Sequence, residues 1–126
     1  MRNVCYAVPM TIILRLAAWG LAAAIAFATL GPAEQRPHSS LGQNGEHALA
    51  FVLFGLAFGL AYTRDRSRTA AFVIGSTGLM ELLQFVAPGR HARMEDFVVD
   101  ALAASLGLVA AAAFDWTIKR TRESAS

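Results

Sequence analysis

Four apolar stretches separated by short polar breaks dominate this chain. They cover residues 7–30, interrupted only by Pro9 and Arg15; 48–62, with no charge; 69–87, interrupted by Glu81; and 97–114, interrupted by Asp100. None alternates with period two, and all are rich in Ala, Leu, Phe, Val and Gly, so each reads as a helix. None has the polar face that a water-soluble bundle needs. A bilayer instead asks for about 20 apolar residues per span, with every backbone group bonded inside the segment. Composition agrees: 56% of the 126 residues are hydrophobic and 16% charged, against ~45–50% and ~25% in soluble domains. The predicted fold is therefore all-α, a four-helix transmembrane bundle in one domain over 1–126, with helices at about 7–30, 46–63, 69–87 and 97–115. Four spans consume about 80 residues. The remainder has no room for a Rossmann enzyme, a large β-barrel or a nucleic-acid-binding module. A single cysteine, Cys5, permits no internal disulfide and no cysteine metal cluster.

The breaks carry turn chemistry. Gly31-Pro32 closes the first segment, 37–45 is rich in Ser, Asn and Gly, and Pro88-Gly89 closes the third. The polar tail 119–126 is expected to fray. With four spans both termini share a side with the 63–68 loop. That side holds Arg2, Arg15, Arg64, Arg66, Arg68, Lys119, Arg120 and Arg122, and the other only Arg36, Arg90 and Arg93. Eight against three predicts cytoplasmic termini. Arg64, Arg66 and Arg68 read as topology determinants, Arg15 as a side chain snorkelling toward the cytoplasm, and Trp19 as a packing residue. Arg2 followed by Ala26-Phe27-Ala28 has the outline of a cleaved signal peptide, but the long apolar stretch and the internal Arg15 favour a retained first helix.

This orientation gathers the unusual polar residues at one level. The charge-free part of the second helix is short, so it should draw Gly45, Glu46 and His47 into the outer interface. Glu81 lies six residues before Ala87, about 9 Å below the boundary at ~1.5 Å per residue. Gln84 follows one turn on, and Asp96 and Asp100 share a face of the fourth helix at i and i+4. An ionised group at mid-bilayer costs roughly 2.5–3.5 kcal/mol, so the acids need partners. Arg90 and Arg93, on the short loop beside them, are the nearest in sequence. On the fourth helix Asp96, Asp100, Ala103, Ala104, Gly107 and Ala111 form one stripe, whose small residues invite close helix approach. Glu81 shares a face with Thr77 and Gly78. Gly55-Leu56-Ala57-Phe58-Gly59 is a packing pattern of the same kind.

These residues resemble the VanZ-like family of small bacterial membrane proteins. The likeness lies in His47-Ala48-Leu49-Ala50-Phe51, Glu81-Leu82-Leu83-Gln84-Phe85, Pro88-Gly89-Arg90, Asp96, and Asp100 followed by Gly107. Where that family often has an acidic–basic pair before the histidine, this chain reads Gln43-Asn44, and Asp100 stands where an asparagine is frequent. The resemblance implies a cell-envelope role bearing on glycopeptide (teicoplanin-type) susceptibility, with no established reaction. The expected functional cluster is His47, Glu81, Gln84, Arg90, Asp96 and Asp100, facing outward to an envelope lipid or antibiotic ligand. The alternative is a membrane-embedded enzyme acting on a lipid-linked or anionic envelope substrate, with His47 and the carboxylates as acid and base and Arg90 against an anion. Gly75-Ser76-Thr77-Gly78 is not a nucleophile elbow and reads as packing. Of the intramembrane ionisable residues only Arg15 falls in the cytoplasmic half, which leaves no continuous proton path. The expected partner is the bilayer; no cofactor, metal or nucleic acid is expected, and the sequence leaves the oligomeric state open.

Overall fold

A computed structural model describes residues 4–30, 42–86 and 94–126. Those residues form four helices: α1 (Val4–Leu30), α2 (Gly42–Ala61), α3 (Arg66–Val86) and α4 (Met94–Ala125). The protein is a four-helix bundle in which α1, α3 and α4 are each long and apolar enough to cross a membrane. In α2 the apolar stretch is shorter, Gly45–Ala61. It compensates by position, since α2 packs on all three other helices and most extensively on α4.

Contacts along the helices give the topology. Arg15 and Trp19 of α1 meet Tyr62 and Phe58, so α1 and α2 are antiparallel. The pairs Gly78 with Phe97 and Arg66 with Asp115 make α3 and α4 antiparallel. Between α2 and α4 the order rises together: Gly55 lies on Ala104, and Gly59 on Leu108 and Ala111. These two helices are parallel, and the bundle runs up-down-up-down.

Why α2 sits at the centre follows from its two faces. Phe51, Phe54 and Phe58, spaced three and four apart, are buried toward α1 and α3 in a chain of edge-on ring contacts. The opposite face is nearly bare. A methyl at Gly55 would strike the Ala104 carbonyl, and one at Gly107 would strike the Val52 carbonyl. The α2–α4 contact is thus backbone against backbone, as the small-residue stripe predicts. The buried residues of α4 are Asp100, Ala103, Ala104, Gly107 and Ala111. Those of α3, Thr69, Val73, Thr77 and Glu81, recur every fourth residue.

The outside is as apolar as the inside. Ile12, Ile13, Leu16 and Phe27 of α1, Leu79, Leu82 and Phe85 of α3, and Leu102, Leu106 and Val109 of α4 are all exposed. A contiguous apolar surface of that extent is a liability in water and the ordinary state in lipid. On α4 the large side chains face out while glycine and alanine face in, as close packing between membrane helices requires.

Several boundaries differ from the sequence expectation. The turn between α2 and α3 is tighter: α2 ends at Ala61 rather than near 63, and α3 begins at Arg66 rather than 69. Asp65 causes the early start, because its carboxylate accepts the Arg68 backbone N–H at 3.2 Å, an N-cap. The tail does not fray either, since α4 runs on to Ala125. Lys119 reaches back to Asp115 at 3.0 Å, Arg120 lies over the Trp116 ring at 5.0 Å, and both are i,i+4 pairs that support a helix outside lipid. At ~1.5 Å per residue the 32 residues of α4 span about 48 Å, well beyond the ~30 Å hydrocarbon core.

Candidate functional site

The acidic residues singled out in the sequence converge at one end of the bundle. Glu81 lies five residues before the end of α3 and Asp100 six residues after the start of α4, on helices that run oppositely. Their depths therefore match, roughly 8–9 Å from the helix ends. Both are buried, Glu81 8% exposed and Asp100 5%. Glu81 and Asp96 are each close enough to Asp100 to act on it electrostatically. Asp96, one turn nearer the helix end, is half-buried, so the three carboxylates lead inward from a wetter to a drier position.

His47 joins them by register. It precedes Gly55 by eight residues, as Asp96 precedes Ala104, and Gly55 rests on Ala104 in parallel helices. The imidazole therefore sits level with Asp96 on the neighbouring helix, half-buried. Gln84 is half-buried on the turn of α3 beyond Glu81. Arg90 lies outside the described residues, as do His91 and Arg93. Thr77, below Glu81, gives its hydroxyl proton to the Val73 carbonyl at 2.9 Å and is committed to its own helix. Gly78 makes room for the Phe97 ring, which is a packing role. Among the described residues no three His, Cys, Asp or Glu side chains are grouped to hold a metal ion. The arrangement brings carboxylates and an imidazole to one end of the bundle beside the small residues of α4. Carboxylates there are acceptors that suit a hydrogen-bond donor or a cation.

The opposite end is built differently. Trp19 donates its indole N–H to the Tyr62 hydroxyl at 2.9 Å and packs edge-on against Phe58, with ring centroids 5.3 Å apart. Arg15 does not simply follow its own helix outward; its guanidinium lies over the Tyr62 ring at 4.8 Å. Arg66, expected only to set topology, donates to Asp115 at 3.1 Å and to the Gly59 carbonyl at 3.4 Å, tying together α2, α3 and α4. Thr69 gives its hydroxyl to the Asp65 and Tyr62 carbonyls across the turn.

Sequence reasoning passed over Asp115. Its signal was present: it is the first acid after the fourth apolar segment, it has a lysine four residues on, and its antiparallel neighbour begins with arginines. Comparison with family models, with curated proteins and with solved structures finds no match to this chain.

Proposed function

We propose that this chain is a multi-pass protein of the bacterial cytoplasmic membrane, akin to the VanZ-like proteins, with its termini in the cytoplasm and the carboxylate recess open to the envelope. Orientation is supported by charge: Arg64, Arg66, Arg68, Lys119, Arg120 and Arg122 crowd the end opposite the acids, and positive residues are retained inside. The recess of Glu81, Asp96, Asp100 and His47 receives a polar, donor-rich group of an envelope ligand. Arg90, from the adjoining loop, meets an anionic part of the same ligand. Through that contact the protein modulates glycopeptide susceptibility of the teicoplanin type.

The observation that carries this reading is the burial of Glu81 and Asp100 at one end of a bundle with an apolar exterior. Stability gives no reason for them, since buried ionisable groups replaced by packed apolar ones commonly leave a fold as stable or more so. Intramembrane acids instead mark ligand and ion sites. The test compares Glu81→Gln, Asp96→Asn, Asp100→Asn and Arg90→Ala with the unsubstituted chain, scoring membrane protein level beside glycopeptide susceptibility. The expected result is normal level with a susceptibility equal to that of a deletion strain. Unchanged susceptibility, in the variants and in the deletion alike, refutes the envelope role. Lost protein in the conservative variants refutes the site.

A further inference from the structure

A groove of about 180 Å³ opens between α3 and α4 near the arginine-rich end. It is lined by Gly59 and Thr69, both buried, by Ala70, Leu108, Val109 and Ala112, and by Arg66 as its charged member. The Thr69 hydroxyl is already bonded to backbone carbonyls, which leaves an alkyl slot with one cation above it. That cation has capacity to spare. A guanidinium carries five N–H donors. Arg66 directs one at Gly59 and one at Asp115, and among the described residues the other three meet no protein acceptor. Its side chain is 35% exposed.

The local charge also favours an anion. Asp115 is shared by Arg66 at 3.1 Å and Lys119 at 3.0 Å, so this trio keeps one positive charge in excess. Across the whole end, Arg15, Arg64, Arg66, Arg68, Lys119, Arg120 and Arg122 outnumber Asp65, Asp115 and Glu123. An alkyl slot that begins beneath an unsaturated guanidinium has the order of parts of a phospholipid, with phosphate above and chain below. We infer that this groove seats one acyl chain of an anionic phospholipid from the surrounding bilayer, with its phosphate held by Arg66 and Lys119. The site lies at the other end of the molecule from the carboxylate recess and stands independently of it.

The full chain, purified in a mild detergent and supplied with equal palmitoyl-oleoyl phosphatidylglycerol and phosphatidylcholine, tests this by native mass spectrometry. One excess basic charge near the surface predicts a preference of about fivefold for the anionic lipid. Lys119→Ala should abolish most of that preference. Ala112→Leu and Ala70→Leu, which fill the slot from opposite walls, should each lower retention of both lipids several-fold while circular dichroism stays unchanged. Equal retention of the two lipids by the unsubstituted protein overturns the assignment. So does undiminished retention of both lipids in a folded slot-filled variant, which would reduce the end to a plain charged surface. Should both filled variants fail to fold, the headgroup comparison and Lys119→Ala decide the matter.

Discussion

The closest approach of two helices gives the sharpest test of the fold. At Gly107 an added methyl would meet the Val52 carbonyl and would stand 2.6 Å from the Leu56 amide nitrogen, both backbone atoms that no rotamer change can move. At Gly55 it would meet the Ala104 carbonyl from the other side of the same contact. Gly107→Ala must therefore push α2 and α4 apart along the most extensive interface in the bundle. Overpacking of this kind costs about 1–3 kcal/mol, and a rigid backbone clash belongs at the upper end. Alanine returns about 1 kcal/mol of helix propensity relative to glycine, so a net loss of about 2 kcal/mol is expected. Gly20→Ala and Gly75→Ala are the controls, because nothing lies within 4 Å of either position. The same chemical change there should leave stability equal or raise it by up to about 1 kcal/mol. Denaturant-induced unfolding in mixed micelles, followed by far-UV circular dichroism, reads all three variants. If Gly107→Ala unfolds together with Gly75→Ala, α2 and α4 do not pack backbone to backbone, and the placement of His47 beside Asp96 falls with that contact.

Tyr62→Phe removes the acceptor of the Trp19 indole proton but keeps the ring contacts; a loss of about 0.5–1.5 kcal/mol and a shifted Trp19 emission are expected. Asp65→Ala deletes the cap of α3 and should cost about 1 kcal/mol, with faster amide exchange confined to the start of that helix. Asp100→Asn should leave the bundle as stable as before or more so, because it removes a carboxylate from beside two others; marked destabilisation in the same unfolding assay would show that Asp100 serves the fold.

How much of this was legible beforehand depended on whether the signal was local. The α4 stripe was, because Asp100, Ala103, Ala104, Gly107 and Ala111 recur at helical spacing and all turn out buried. The matching depths of Glu81 and Asp100 were legible too, because depth along an antiparallel pair follows from counting residues. The end of α4 misled because polarity was read as fraying. Lys119, Arg120, Arg122, Glu123 and Ala125 are good helix formers, and a helix that has left lipid needs no apolar face to continue. Arg66 with Asp115 was not visible, since partners 49 residues apart are recognised only once helix register is known. For the same reason Arg15 and Trp19 could be placed in depth but not assigned to Tyr62.

The two ends of the bundle are built differently, and the proposed ligand site rests on that difference. At the arginine end the acids are answered, half-buried Asp115 by Arg66 and Lys119, and exposed Asp65 by Arg68 and a helix N-terminus. At the other end Asp100 faces carboxylates of its own sign. Low-dielectric surroundings magnify repulsion as they do attraction, so that grouping is the less stable way to fill the space. The same helix shows the alternative: Ala103, Ala104, Gly107 and Ala111 fill the rest of the buried stripe without charge. Acids replace small residues only within the last two turns of the stripe, near the start of α4. A bundle shaped by packing alone would have carried alanine to the end of the helix; this one gives way to acid nearly two turns short, at Asp100, and that departure is what the proposed ligand site rests on.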